Sequence, residues 1–517
     1  MTGTPASITR LNALVGEVVD LRHAATLIGW DERVLMPPGG VTVHAEMAAT
    51  IQRIAHEKFT SLELGRALED AAKDVEALPA DSPVKRLVST TARDYARAAR
   101  VPSAWVEKHA HVASAAHQAW KEARESSNYA IFRPHLEQVV TLEQEYATFF
   151  APLAHPYDAL VDPYEPGMLT SEIQEIFRVL RPRQIELLRA IQEQPAADAP
   201  FLTAEYDEKE MLAFSTEVIT AFGFDWTRGR QDRSTHPFAT PLGTDDVRIT
   251  TRFDTRHPFE MPFAAMHEAG HALYEQGIAP SWHRTLARGG ASLGVHESQS
   301  RLWENVIGRS RPFWEHFYSR LQTRFPSQLG AVSLDTFHRG INQVKRSLIR
   351  VEADEVTYNL HVMLRVEIEI ALLTSAISTH DAPEYWNAQM QEYLGIAPDT
   401  DANGILQDMH WSIGLFGYFA TYTLGNLISV QLWEAYTTAD DQWEARIRRG
   451  AFSTLREWLR NAIHQHGRSY QPRELVARAT GRPLSTEPYL DYLESKYGEL
   501  YGLAPALRLR SGQAAGA

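Results

Sequence analysis

A chain of 517 residues with 44% hydrophobic and 22% charged residues can bury a large core and has the balance of a folded protein, which excludes general disorder. Its formal net charge of −14, from 51 Lys plus Arg against 65 Asp plus Glu, excludes an electrostatic attraction to nucleic acid or acidic membranes. The lack of cysteine excludes disulfides, thiolate metal sites and thiol catalysis, and agrees with a reducing compartment.

The predicted elements are almost all helical. Residues 8–28 carry Leu11, Leu14, Val15, Val18, Val19, Leu21 and Leu27 close to helical spacing, with Ser7 or Thr9 as caps. No basic stretch followed by an apolar run precedes them, so no signal peptide is expected and the cytoplasm is the expected location. Similar patterns predict helices over 82–127, 130–153, 170–194 and 207–222. From Asp246 to Phe253, Val247, Ile249, Thr251 and Phe253 alternate with polar residues, as in a half-buried strand of a small sheet. An edge strand there could take up an extended peptide; an ordinary hairpin without a ligand fits equally well. Helices are then expected over 262–277, 297–323, 334–378, 383–393, 405–437, 442–464 and 472–480. Residues 411–433 are mostly apolar, but Ser412, Thr421, Asn426 and Gln431 interrupt them, so a buried helix wall is expected rather than a membrane span. The small, polar end predicts a disordered tail over 503–517 and leaves 1–502 as a single domain.

The segment Met266-His267-Glu268-Ala269-Gly270-His271 reads H-E-x-x-H within a predicted helix. Residues four apart share a helix face, so His267 and His271 can meet one tetrahedral ion, with Glu268 beside it as a base for water that the ion has acidified. Two solvated or core histidines on an amphipathic helix would give the same letters. Downstream, Glu297 in Gly294-Val295-His296-Glu297-Ser298-Gln299-Ser300 is expected near a helix start, beyond the glycine-rich stretch Arg288–Gly294. It is the candidate third ligand, because a catalytic zinc takes three protein ligands and keeps one position open. A first-turn glutamate favoured by the helix dipole is the plainer reading. His296 is expected to line the cleft or to bind backbone.

These motifs occur in order with others: His236-Pro237-Phe238, Asp246-x-Arg248-x-Thr250, Ile349-Arg350-x-x-Ala353-Asp354 and Gly404-x-x-Gln407-Asp408-x-His410-Trp411. Together with Gly29-Trp30-Asp31, Tyr157-Asp158-Ala159-Leu160 and Phe416-Gly417-Tyr418-Phe419, the set resembles the carboxypeptidase Taq family of metallocarboxypeptidases over all but the tail. The resemblance implies a mainly α, two-lobed helical zincin with a deep groove, similar to neurolysin and angiotensin-converting enzyme. It also implies release of C-terminal amino acids with broad specificity, one Zn2+ or sometimes Co2+ per subunit, and a homodimer. Ala420 stands where proline is expected, away from every proposed ligand.

On this reading His267, His271 and Glu297 hold the metal, and Glu268 takes a proton from water and passes it to the leaving amine. By similarity to related zinc peptidases, His410 and Tyr422, both expected on the 405–437 helix, stabilise the oxyanion; Tyr418 competes with Tyr422, and core packing is open for both tyrosines. Arg350 matches the family motif for holding the terminal carboxylate, although an i,i+4 pair with Asp354 on a helix surface is the simpler account of the same letters. His236 is expected to approach the peptide from the sheet side, and Arg248 either touches substrate or braces its strand. Two other functions fit the residues: an oligopeptidase cutting internally in short peptides, and a helical binding protein with a vestigial metal site. The intact Glu268 argues against the second.

Overall fold

The computed structural model describes residues 5–503. Its helices group into two compact units, the first formed by residues 5–99, 199–338 and 432–483 and the second by 100–198, 339–431 and 484–503. The expected tail falls, apart from Leu503, outside the described residues. Among the described residues no helix is long and apolar enough to cross a membrane.

In the first unit, helix Ala6–Val34 buries Ile8, Leu11, Val15, Val18 and Val19 against Phe59, Leu64, Leu68 and Val75. The last four belong to helices Val41–Phe59 and Leu62–Val75, which periodicity did not predict. Only Ala55 and Phe59 of helix Val41–Phe59 are buried, so it has no wide apolar stripe to read.

The small sheet also lies in this unit. Its strands are β1 (Gly229–Arg233), β2 (Ala239–Gly243) and β3 (Asp246–Thr251), in the order β1-β3-β2. β3 pairs with β1 in parallel and with β2 antiparallel, so the strand predicted at 246–253 is central and has no edge to offer a peptide. Its inward residues Val247 and Ile249 pack on Ala265, Ala269 and Ala272 of helix Glu260–Gly277, a row of small side chains on one helix face. His267 and His271 project from roughly the opposite face. Helix Leu293–Arg301 crosses close by at Gly270, where an added Cβ would lie 2.6 Å from the Gln299 carbonyl oxygen and 2.6 Å from Ser300 Cα. The two helices touch backbone to backbone there, and only glycine allows it.

In the second unit, Glu369 of helix Tyr358–Leu373 is the main buried polar anchor. Its carboxylate accepts the Tyr157 hydroxyl at 2.5 Å, the Trp411 indole N–H at 2.8 Å and the Gly417 amide at 2.9 Å. Burial raises this carboxyl to about 7, against the lowering effect of those donors.

Several long predicted helices are interrupted. The 82–127 prediction is two helices, Pro83–Arg100 and Ser103–Glu125, divided at Pro102, which cannot continue a helix. The 297–323 prediction becomes helix Leu293–Arg301, a π-helical stretch Leu302–Ile307 and helix Arg311–Arg324. The 334–378 prediction breaks into Leu334–Ile341, a 3-10 turn Arg350–Glu352 and Tyr358–Leu373. The 405–437 prediction breaks into a 3-10 turn His410–Ile413 and helix Ala420–Ala439. Helix Glu487–Tyr501 was not predicted.

The contact at Gly270 carries a prediction. Gly270→Ala forces the backbones of two helices apart, costs about 1–3 kcal/mol of stability as overpacking does, and weakens metal binding as well. Thermal unfolding and metal titration of the variant check this; a stable protein with wild-type affinity would show that the approach is not needed.

Candidate metal centre and active site

The site is built from the two helices that meet at Gly270. Helix Glu260–Gly277 sets His267 and His271 one turn apart. Helix Leu293–Arg301 begins at Leu293, with the Ser292 hydroxyl accepting the Val295 amide at 3.0 Å. Glu297 is therefore past the first turn rather than at a helix start, and the dipole account of it falls. Its Oε2 lies 3.6 Å from His267 Nε2 and 3.4 Å from His271 Nε2, and the three ligand atoms are all within 4.8 Å of one another. Oε1 is taken by Arg301 Nε at 2.7 Å, which leaves Oε2 for the imidazoles.

Both rings are held from behind. His267 Nδ1 meets Glu304 Oε2 at 2.8 Å, and His271 Nδ1 meets His296 Nδ1 at 2.6 Å, so each ring turns Nε2 inward. Two imidazole nitrogens and one carboxylate oxygen, oriented by hydrogen bonds at the far nitrogens, fit a divalent cation with an open position.

The charges agree with that fit. Glu268, Glu297 and Glu304 stand against the guanidiniums of Arg301 and Arg309. Burial raises the Glu268 carboxyl to about 7; His267 pulls it down, and Glu297 and Glu304 push it up. Glu304 goes the other way, to about 2, because the hydrogen bond to His267 and the charge of Arg301 overcome burial. Arg301 and the two histidines likewise hold Glu297 well below the usual carboxylate range in spite of burial. Burial disfavours charge on His267, but Glu297 and Glu304 outweigh it and raise the imidazole to about 9. His271 is carried down to about 4 by burial and by its neighbours His296 and His267.

The other predicted residues divide between the units. In the first, His236 is exposed on the loop between β1 and β2. Arg248 on β3 pairs with Asp246 at 2.8 Å and lies 4.8 Å from the centre of the Trp30 ring, which is the bracing arrangement.

In the second unit, Arg350 sits in its 3-10 turn and is buried. Its Nε and Nη2 donate to Asp408 Oδ1 at 3.2 and 2.8 Å, and Nη1 donates to the Tyr358 hydroxyl at 2.9 Å. The i,i+4 pair with Asp354 does not form. Asp354 instead accepts the amides of Lys345, Val356 and Thr357 and closes the turn between the two helical pieces. Arg365 donates to Asp408 Oδ2 at 2.6 Å, so two guanidiniums share one carboxylate. His410 and Tyr422 do not share a helix, yet His410 Nε2 is 3.4 Å from the Tyr422 hydroxyl. The Tyr422 ring lies 4.8 Å from the Arg350 guanidinium. Burial lowers His410 to about 4, which keeps it neutral at ordinary pH. Tyr418 packs edge-on against Tyr164 at 5.2 Å.

Sequence reasoning missed Glu304, Arg301, Glu275 and Arg365. Helix spacing from the candidate ligands could have found the first three: Glu275 follows His271 at i+4, and Arg301 and Glu304 follow Glu297 at i+4 and i+7.

A mainly helical fold, with an H-E-x-x-H helix whose histidines meet a glutamate from the next helix, defines a metallopeptidase of the helical kind. The chain belongs to the carboxypeptidase Taq (M32) metallopeptidase family, whose model matches residues 10–497. A Thermus thermophilus protein named thermostable carboxypeptidase 1 is 41% identical over 499 residues, 94% of this chain and 97% of that one. A Bacillus subtilis protein named carboxypeptidase 1 is 36% identical over 489 residues, again 94% of this chain and 97% of that one. The crystal structure of an M32 carboxypeptidase from Deinococcus radiodurans R1 matches with a TM-score of 0.93 at 37% identity, covering 96% of this chain and 100% of that one.

Glu304 supports His267 with a full carboxylate. Glu304→Gln is expected to weaken binding of a divalent metal about 10–100-fold, the usual effect of losing such a partner. Competition with a chromophoric chelator measures it, and an unchanged dissociation constant would remove Glu304 from the centre.

Proposed function

We propose that this chain is a metal-dependent carboxypeptidase that releases single C-terminal residues from peptides with broad side-chain tolerance. The observation that carries the reading is the convergence of His267 Nε2, His271 Nε2 and Glu297 Oε2 beside a buried Glu268. The names of the relatives support the direction of cutting. Zn2+ is the proposed ion, with Co2+ able to use the same ligands. When bound, such an ion polarises a carbonyl and acidifies water, to about pKa 7 in zinc hydrolases. Homodimerisation and a cytoplasmic location, implied by the resemblance, belong to the same proposal.

Glu268 is the proton carrier. A carboxyl raised to about 7 is a base matched to neutral pH: it takes a proton from the attacking water and returns it to the leaving amine. His410 and Tyr422, already in mutual contact, are proposed donors to the oxyanion. His236 and Arg248 are proposed to touch substrate, Arg248 only if it leaves Asp246.

Arg350 is proposed to hold the terminal carboxylate. Asp408 and Tyr358 engage Nε, Nη1 and Nη2, and because Nη1 and Nη2 each carry two N–H groups, both keep a further donor that a terminal carboxylate could take. Arg365 beside Asp408 leaves this cluster with more positive than negative charge, which favours an incoming anion.

The deciding experiment compares an N-blocked peptide with its C-terminal amide, using metal-loaded enzyme and a chelator control. Metal-dependent release of an amino acid from the free acid alone is expected; internal cleavage of both would make the protein an oligopeptidase, and cleavage of neither would make it a binding protein. Glu268→Gln should keep its metal and lose about 10²-fold or more of turnover, as the loss of a general base does. Near-normal turnover with metal content confirmed would refute that role. Arg350→Ala should raise KM and lower kcat/KM for free acids while barely affecting amides, and equal losses on both would sink the carboxylate assignment.

A further inference from the structure

His267 rests directly on a carboxylate, but His271 does not. Behind His271 stands a line of polar groups around the buried Glu275: His296 Nδ1 at 2.6 Å from His271 Nδ1, then Glu275 Oε1 at 3.0 Å from His296 Nε2, then Arg288 Nη2 at 3.1 Å from Glu275 Oε2. We infer that His296 is a positioning residue through which the Glu275–Arg288 pair fixes the tautomer and ring plane of His271 for metal ligation. The inference rests on the metal centre proposed above.

The argument runs from the charged end inward. A carboxylate paired with arginine only accepts, so His296 carries its proton on Nε2. With one ring proton, on Nε2, His296 presents a bare Nδ1, which accepts. Its partner at 2.6 Å, His271 Nδ1, must therefore donate. That leaves the lone pair of His271 on Nε2, the nitrogen that faces Glu297. This assignment gives His271 Nδ1, His296 and Glu275 each a partner, and it is the one that ligation at Nε2 requires.

Packing holds the relay in place. The Tyr274 ring lies over His296 with centroids 5.3 Å apart, and the Tyr274 hydroxyl is itself fixed by the Ala291 amide at 3.1 Å. Gly290 leaves room beside both rings that a Cβ would remove, since it would come within 2.7 Å of His296 Cδ2 and 3.3 Å of Tyr274 Cε1. His296 thus neither lines a cleft nor binds backbone, as its sequence suggested, but spans His271 and the buried Glu275.

The test reads the tautomer and the metal affinity separately. In metal-free wild-type protein, 15N-histidine NMR should place the His271 proton on Nδ1; in His296→Phe it should move to Nε2. Zinc affinity should fall about 10–100-fold in His296→Phe, and the visible bands of the Co2+ form should shift. His296→Gln, which offers an acceptor oxygen, should restore much of both. Glu275→Gln keeps an acceptor but loses the charge, and should give a smaller loss; it also serves if His296→Phe fails to fold. A wild-type His271 protonated on Nε2, or wild-type affinity in both His296→Phe and Glu275→Gln, would overturn the relay. Wild-type protein that takes up no Zn2+ or Co2+ would instead overturn the metal centre itself.

Discussion

The backbone contact at Gly270 is the constraint on which the site depends. Helix Leu293–Arg301 can bring the Glu297 carboxylate between two imidazoles only because nothing stands between the helices where Gln299 and Ser300 pass. A carboxylate side chain reaches only a few bonds from its backbone, so the place of the candidate third ligand is set by the spacing of two helices and not by its own flexibility. The alanine row that seats the same helix on the sheet acts in the same sense from the other side. Small residues on two faces fix the helix, and the histidines occupy a third.

Once the ligands are brought together, the difficulty is electrostatic. Three buried carboxylates would repel one another, and burial alone would keep them protonated. Arg301 divides its charge between Glu297 and Glu304, while His267 lies between those two acids. This keeps the ligand and the supporting carboxylate ionised and leaves Glu268 as the one whose proton is easily exchanged near neutrality. Like residues a few ångströms apart thus receive different chemistry from their hydrogen-bond partners. In the second unit the sign is reversed, with Arg350 and Arg365 sharing Asp408. Neither arrangement is a strong stabiliser of the fold, because desolvation consumes most of what the ion pairs return. Their value lies in presenting charge at fixed places.

Much of this was legible before any coordinates. The H-E-x-x-H spacing depends only on helix geometry, and a helix over residues 262–277 was readable from its pattern, so His267, His271 and Glu268 could be named directly. Glu297 was legible as a ligand candidate but not its position in the helix, because Ser292 as the cap was hidden in a glycine-rich stretch. The strand at 246–253 showed its alternation, yet its central place in the sheet depends on β1, whose residues Gly229-Arg230-Gln231-Asp232-Arg233 carry no apolar alternation at all. Helix Val41–Phe59 escaped for a similar reason: it buries too little to leave a stripe. The partner of Arg350 could not be read, since Asp408 is remote in sequence while Asp354 sits at the tempting i+4 spacing.

The largest errors of periodicity fall where the candidate chemistry lies. Apolar spacing runs through residues 297–323, 334–378 and 405–437 as if each were one helix. The backbone departs from that pattern at Leu302–Ile307, Arg350–Glu352 and His410–Ile413. The first carries Glu304, the second Arg350 and the third His410. A π-helical stretch widens the turn and changes the azimuth at which a side chain leaves, and a 3-10 turn tightens it. In each case a regular α-helix would point the residue along a direction set by its neighbours' packing. The irregular turn frees that direction, so that Glu304 reaches His267 Nδ1 and Arg350 reaches Asp408. Local pattern and function disagree at these three places, and the cost in helical hydrogen bonding is met by polar side chains such as Asp354, which accepts three backbone amides where the chain enters helix Tyr358–Leu373.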